Sequence, residues 1–166
     1  MIENDSVRRI RIVYNELSKF YRGENYLVVN ALSILAACIL FAIGVLHIYW
    51  GLGGKRGLDA AIPRDNGKRA FSPGAGATFA VAVLVLLAGV LLLLQAGVIR
   101  MAISASLIRL GALGCAAVFA LRVVGDFRRF GLFKQKNETV FSKMDTRLYV
   151  PLCAFLSIVY GIAVVQ

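Results

Sequence analysis

Four long apolar stretches alternate with short polar segments along this chain. Together the stretches contain one Asp, Glu, Lys or Arg side chain, which is Arg109; they cover residues 27–50, 70–99, 101–121 and 148–166. A helix needs about 20 apolar residues to cross the hydrocarbon core of a bilayer. Hydrocarbon offers backbone amides no hydrogen-bond partner, so a crossing segment must be helical. The pattern therefore predicts four transmembrane helices.

The predicted fold class is all-α, an integral membrane four-helix antiparallel bundle. We expect the spans at about residues 27–50, 77–98, 102–124 and 148–165, inside one membrane domain that covers 27–166. The connection over 51–77 is too long for a tight turn, and loops of that length are often ordered and functional. An even number of spans places both ends of the bundle's chain on the same side of the membrane.

Residues 1–26 have a different pattern and form a separate amphipathic segment. Apolar side chains recur every three or four residues, as on one face of a helix, at Val7, Ile10, Val13, Leu17 and Phe20. Charged side chains lie mostly on the other faces: Arg8, Arg9, Arg11, Glu16, Lys19 and Arg22. A basic amphipathic helix beside a span usually lies in the headgroup plane, so we predict an N-terminal amphipathic interfacial helix. A partner-binding helix is the alternative.

Composition agrees with a membrane protein and argues against nucleic acid as a partner. Hydrophobic residues make up 59% of the chain and the net charge is +10. The nineteen Lys and Arg residues lie almost wholly between the apolar stretches, where membrane topology and anionic headgroups favour them. Twelve lie in the connections 51–77 and 122–147 and six on the other side, which predicts that the long connections 51–77 and 125–147 are cytoplasmic.

Polar and aromatic residues collect where three spans meet one membrane face. The alternating direction of the spans brings these residues together, with a loop at 59–63 above them. We therefore predict a ligand-binding pocket formed by His47, Tyr49, Trp50, Asp59, Arg122, Asp126, Asp145 and Tyr149. Ionisable groups inside a membrane are costly to keep without partners, so such a cluster is informative.

Each member of this cluster also has a structural interpretation. Tyr and Trp anchor spans at the interface. Arg122 and Asp126 are four residues apart, so they share a helix face and can form an ion pair. Asp145 or Thr146 can cap the fourth span, with Pro151 in its first turn. His47 can be a satisfied histidine of the bundle.

Motifs for cofactor and metal chemistry are missing from the sequence. His47 is the only histidine, and the three cysteines, Cys38, Cys115 and Cys153, have neither the even number of a disulfide framework nor zinc-site spacing. No HExxH, GxSxG, P-loop or dinucleotide fingerprint occurs. We assign no catalytic residue and no metal ligand, and we expect no cofactor.

The residues carry a resemblance to a known family over about residues 30–165. The relevant runs are His47-Ile48-Tyr49-Trp50, Ala61-Ile62-Pro63, Arg122-x-x-Gly125-Asp126, Gly131-Leu132-Phe133 and Asp145-Thr146-Arg147-Leu148-Tyr149-x-Pro151-Leu152-Cys153. They are similar to a family of small bacterial four-span membrane proteins that is catalogued as a domain of unknown function. The resemblance implies a four-helix membrane fold in the bacterial cytoplasmic (inner) membrane. It supplies no activity that could be transferred to this chain.

Three functions fit this pattern. The first is binding of a small amphiphilic ligand or lipid at the polar pocket. The second is a small membrane enzyme or redox accessory acting on a lipid or quinone, with His47 as proton carrier, Asp126 or Asp145 as its partner, and Arg122 holding an anion. The third is an accessory subunit of a larger membrane complex. The expected partners are the lipid bilayer, a small amphiphile or quinone, and a membrane-protein partner or homo-oligomer.

Overall fold

The first helix of the protein is far longer than a bilayer is thick. In a computed structural model that describes residues 5–65, 68–135 and 139–166, α1 runs from Asp5 to Gly51 without interruption. Its 47 residues extend about 70 Å at 1.5 Å per residue, against ~30 Å of hydrocarbon. From Asp5 onwards, the amphipathic segment is therefore helical and continuous with the first span. The side chains of its predicted apolar face lie outside the described residues, and its interfacial placement stays a prediction.

The remaining elements follow in a simple order. The connection after α1 contains α2 (Leu58–Ala61) and an antiparallel pair of two-residue strands, β1 (Arg64–Asp65) and β2 (Lys68–Arg69). Next come α3 (Ala75–Gln95) and α4 (Ala105–Val124). The last helical region comprises α5 (Val140–Met144), a π-helical segment (Asp145–Tyr149) and α6 (Val150–Val165).

The four predicted spans are confirmed. Within the described part of the chain, four helices are long and apolar enough to cross a membrane: Asn25–Gly51, Ala75–Gln95, Ala105–Val124 and Val140–Val165. α1 and α4 each pack against both α3 and α6, which closes a four-helix bundle. The protein is therefore a multi-pass membrane protein.

Close packing at the centre of the bundle depends on small residues and one buried tyrosine. Gly89 of α3 lies against the ring of Phe41 of α1, where a Cβ atom would come within 2.6 Å of that ring. Small residues of this kind let membrane helices approach closely. Tyr160 of α6 is fully buried, donates a hydrogen bond of 2.5 Å to the Ala88 carbonyl, and stacks on Phe119. These contacts join all four helices into one core.

The fourth span begins earlier than the sequence suggests, and its cap is a different residue. Helix α5 begins at Val140, and the Thr139 hydroxyl accepts a hydrogen bond of 3.2 Å from the Ser142 amide. The prediction that Asp145 or Thr146 caps this span is wrong, because helical backbone already precedes both residues. The π-helical segment ends at Tyr149, two residues before Pro151, whose ring and missing N–H disturb the preceding turn of a regular α-helix.

Two long connections meet at one end of the bundle, and this end contains the candidate site. The link between α3 and α4 lies at the opposite end. Arg109 is exposed there, four residues into α4, which is about 6 Å from the start of the helix. That position lets its side chain reach the nearby interface.

Candidate functional site

A buried carboxylate lies between two cations where α4, the following connection and the π-helical segment meet. The Asp145 side chain is fully buried, and its Oδ1 accepts a hydrogen bond of 2.6 Å from Arg122 Nη2. Its Oδ2 accepts from Lys134 Nζ at 2.6 Å and from the Gly131 amide at 2.9 Å. We call Arg122, Lys134 and Asp145 the ion cluster. Burying a carboxylate is costly unless it is paired and hydrogen-bonded, and here both oxygens are.

The rest of the ion cluster is also held in place. The Arg122 guanidinium lies 4.4 Å from the centre of the Phe130 ring, in a cation–π contact. Lys134 donates a second hydrogen bond, of 2.7 Å, to the Thr146 hydroxyl. Both groups therefore contribute to fixing the connection between α4 and α5 on the end of the bundle.

The predicted ion pair between Arg122 and Asp126 is wrong. Helix α4 ends at Val124, and Gly125 has a φ of 87°, so the chain leaves the helix before it reaches Asp126. Two residues that share a face of a continuous helix are separated once the helix stops between them. Arg122 pairs with Asp145 instead, 23 residues further along the chain.

Asp126 stabilises the turn that follows α4. Its Oδ1 accepts hydrogen bonds from the backbone amides of Arg128, Arg129 and Phe130, at 3.0, 2.6 and 3.0 Å. Burial would raise the pKa of Asp126, but these amide donors outweigh it and hold the pKa below its usual range. Asp126 is thus a structural residue of the turn that delivers Gly131 and Lys134 to Asp145.

A cavity of about 300 Å³ lies beside the ion cluster at the same end of the bundle. Helix α1 contributes His47 and Trp50 to its lining, and α3 contributes Ala77, Thr78 and Val81. The connection between these helices supplies the remaining lining residues: Leu58, Ala61, Ile62, Phe71, Ser72 and Pro73. None of these described residues is Asp, Glu, Lys or Arg, so the lining is apolar with a few polar atoms.

The polar atoms of the cavity are oriented by bonds to the backbone. His47 Nδ1 lies 2.8 Å from the Ile43 carbonyl, and the imidazole meets the Trp50 ring edge to face at 5.0 Å. Trp50 Nε1 donates a bond of 2.8 Å to the Arg56 carbonyl, which ties the connection to the end of α1. The Thr78 hydroxyl donates to the Gly74 carbonyl at 3.1 Å.

Tyr149 links the ion cluster to the segment that roofs the cavity. Its hydroxyl donates a hydrogen bond of 3.1 Å to the Ala60 carbonyl of α2. Its ring contacts buried Phe141 of α5, with 6.2 Å between ring centres. The next residue of α2, Ala61, lines the cavity. The cavity and the ion cluster are therefore neighbours, but no residue of the ion cluster lines the cavity.

Of the eight residues predicted as one pocket, five lie in or between these two parts. His47 and Trp50 line the cavity, while Arg122 and Asp145 belong to the ion cluster and Tyr149 lies between the two. The other three are exposed and do not line the cavity: Tyr49, whose ring packs on Gly54, Asp59 on α2, and Asp126 in its turn.

Several residues of the site escaped the sequence analysis. Lys134 follows Gly131-Leu132-Phe133 directly, but it was counted only as a topological charge. Its position directly after this run was the available signal for it. Thr78 and Ser72 gave no signal, because they lie at the start of an apolar stretch and in a polar loop, where hydroxyl residues are ordinary. In the described ranges, no three His, Cys, Asp or Glu side chains lie close enough together to hold a metal ion.

Comparison with known proteins gives one match, to a family model. No curated protein and no solved structure matches the chain. A family model described as a protein of unknown function matches residues 40–160, a range that includes the cavity and the ion cluster. The match covers well over half of the 166 residues. The chain therefore belongs to this family of proteins of unknown function, DUF3995.

Proposed function

We propose that the protein binds a small amphiphile in the cavity beneath the connection between α1 and α3. The observation that carries this proposal is the cavity itself, whose apolar lining contains the oriented polar groups of His47 and Thr78. Ligand sites are typically concave, mainly apolar, and carry a few fixed polar groups. A volume of about 300 Å³ is at the lower end of the range for such sites, so it suits one headgroup or ring rather than a whole lipid.

The location of the cavity favours an amphiphile over a water-soluble ligand. It lies between the end of one span and the start of the next, so its occupant can keep an apolar tail among lipid chains. Val81 lies one turn deeper along α3 than Ala77, and it gives the inner part of the lining an apolar wall. The polar end of the ligand then lies near His47, at the depth of the interface.

The sole tryptophan of the chain reports directly on this cavity. Because Trp50 lines it, a brominated long-chain alcohol that enters the cavity should quench its fluorescence by contact. The experiment titrates this alcohol into the protein in detergent micelles or nanodiscs. Saturable quenching is the expected result, and quenching that only rises linearly with the probe would indicate simple partition into the micelle.

A pair of alanines on α3 provides the matched control. Ala77→Phe introduces a ring into the cavity, and it should weaken saturable quenching about tenfold, as overpacking typically costs 1–3 kcal/mol. Ala80 is also exposed on α3 but does not line the cavity, so Ala80→Phe should bind like the wild type. Equal quenching in both variants would remove the cavity from the proposal.

We further propose the bacterial cytoplasmic membrane as the location, with the connections 51–77 and 125–147 in the cytoplasm. The excess of basic residues on that side supports this orientation. A fusion of alkaline phosphatase after Gln166 should then be active, and a fusion of green fluorescent protein at the same position should be dark. The reverse pattern would invert the orientation and leave the cavity proposal standing.

The two alternative functions stay predictions. In the enzyme alternative, Asp145 offers no free carboxylate oxygen as a proton acceptor, because Arg122, Lys134 and Gly131 bind both. His47 would therefore be the proton carrier in this alternative, without Asp145 as its partner. The accessory-subunit alternative requires a partner that co-purifies in mild detergent.

A further inference from the structure

The hydrogen bonds that the lining side chains already make determine which kind of headgroup can pair with their remaining polar atoms. This inference rests on the proposed function and goes one step further, to the chemistry of the ligand. A carbonyl oxygen can only accept a hydrogen bond, so the close contact between His47 Nδ1 and the Ile43 carbonyl requires the proton on Nδ1. In the neutral imidazole, the other nitrogen, Nε2, is then an acceptor.

The other oriented polar groups of the lining, Thr78 and Trp50, likewise have no donor left for a ligand. The Thr78 hydroxyl uses its proton on the Gly74 carbonyl, so its oxygen keeps lone pairs and no donor. The Trp50 N–H is consumed by the Arg56 carbonyl, so the indole offers the ligand only its ring. Among the lining side chains, the exposed Ser72 hydroxyl can act either as donor or as acceptor.

We propose that the cavity selects an amphiphile with a neutral hydroxyl headgroup, which donates a hydrogen bond to His47 Nε2. A ligand with acceptors alone, such as an ether, ester or quinone, would leave the histidine nitrogen without a donor. A buried polar group without a partner costs about 1–3 kcal/mol. The described lining also provides no Lys or Arg for a carboxylate or phosphate headgroup.

Two sources of this chemistry exist in a membrane, and they share the hydroxyl donor. One is the phenolic group of a hydroquinone, the reduced form of a membrane quinone. The other is the free hydroxyl of an acylglycerol. The cavity of about 300 Å³ holds a single ring or a glycerol unit, so size alone does not separate them.

Two probes that differ only in the donor test this proposal. A brominated long-chain alcohol and its methyl ether are titrated separately, with Trp50 fluorescence as the readout. We expect the alcohol to bind about fivefold more tightly, the value of one net hydrogen bond. His47→Phe keeps an aromatic ring beside Trp50 and removes the acceptor, so this preference should disappear. Thr78→Val, a smaller change in shape, should reduce it if His47→Phe fails to fold.

Competition then separates the two sources. An alkyl hydroquinone, the matching quinone and a monoacylglycerol are each used to displace the bound brominated alcohol. Displacement by the hydroquinone alone identifies a phenol site, and displacement by the monoacylglycerol alone identifies a glycerolipid site. Displacement by the quinone as strongly as by the hydroquinone would overturn the proposal.

The outcomes also separate this inference from the function on which it rests. Equal binding of alcohol and ether, weakened for both by Ala77→Phe, would retain the cavity and refute the donor requirement. Tighter binding of the ether, or an alcohol preference that survives both His47→Phe and Thr78→Val, would also refute it. Saturable binding of neither probe would refute the proposed function itself.

Discussion

Removing the charge of Asp145 should be among the most damaging changes available in this protein. Asp145→Asn keeps the size of the side chain but leaves Arg122 and Lys134 facing each other without an anion. The carboxylate is fully buried and the Lys134 side chain is only 6% exposed, so solvent can screen little of the repulsion. Breaking a buried ion pair from one side typically costs about 3–5 kcal/mol.

This loss is large enough for a simple thermal assay. For a chain of this size, about 3–5 kcal/mol corresponds to a drop in melting temperature on the order of 10 °C. The measurement is thermal unfolding of wild type and variant in the same detergent. Asp59→Asn is the matched control, because that carboxylate is exposed on α2 and an exposed pair contributes less than about 1 kcal/mol. Equal destabilisation by the two variants would refute our interpretation of the ion cluster.

A double-mutant cycle isolates the electrostatic part of this effect. Lys134→Met removes one of the two cations, so it should be destabilising in the wild type and much less so beside Asp145→Asn. Coupling of about 1–3 kcal/mol is expected for residues in one network. Additive effects would mean that the residues act independently, in conflict with the 2.6 Å contact between them.

Three further changes test the turn and the roof of the cavity. Gly125→Ala should destabilise the protein by more than about 2 kcal/mol in thermal unfolding, because Gly125 has a positive φ and a Cβ atom there would clash with neighbouring backbone. Gly114→Ala is the control: a Cβ atom at Gly114 meets open space, so this change should be close to neutral. The pKa of Asp126 is lowered in the folded state, so its stabilising effect should be present above about pH 4 and be lost as pH falls through the folded pKa; the stability difference between wild type and Asp126→Asn should shrink over that range. Tyr149→Phe removes the hydroxyl that holds α2, so trypsin should cleave the connection between α1 and α3 faster.

The bundle could be predicted from the sequence because the membrane imposes a strong constraint. Long apolar runs must be helical in hydrocarbon, so the number of spans followed from residues 27–50 and their three counterparts alone. The ends were harder to locate. The last helix begins at Val140, inside a segment with several polar residues, where hydropathy does not indicate the start of a helix. The start of this helix is determined by the cap at Thr139.

The contacts of the candidate site depended on backbone geometry that spacing does not encode. Arg122 and Asp126 have ideal helical spacing, but Gly125 ends the helix between them. The true partner, Asp145, lies beyond a connection whose path is determined by the turn around Asp126. Direction of travel alone did predict that His47, Arg122 and Asp145 lie at one end of the bundle. It did not predict that the charged groups of the ion cluster lie outside the lining of the cavity.

Under the proposed function, that separation gives the charges a supporting role in ligand binding. The ion cluster satisfies its own carboxylate and holds the π-helical segment, from which Tyr149 reaches α2. Helix α2 in turn supplies Leu58 and Ala61 to the roof of the cavity. A change in the ion cluster should therefore weaken amphiphile binding through the roof, without altering the preference for a hydroxyl headgroup. In this proposal, selectivity and affinity depend on different residues. The groups proposed to choose the headgroup lie on α1 and α3, whereas the ion cluster and Tyr149 lie on the other half of the bundle.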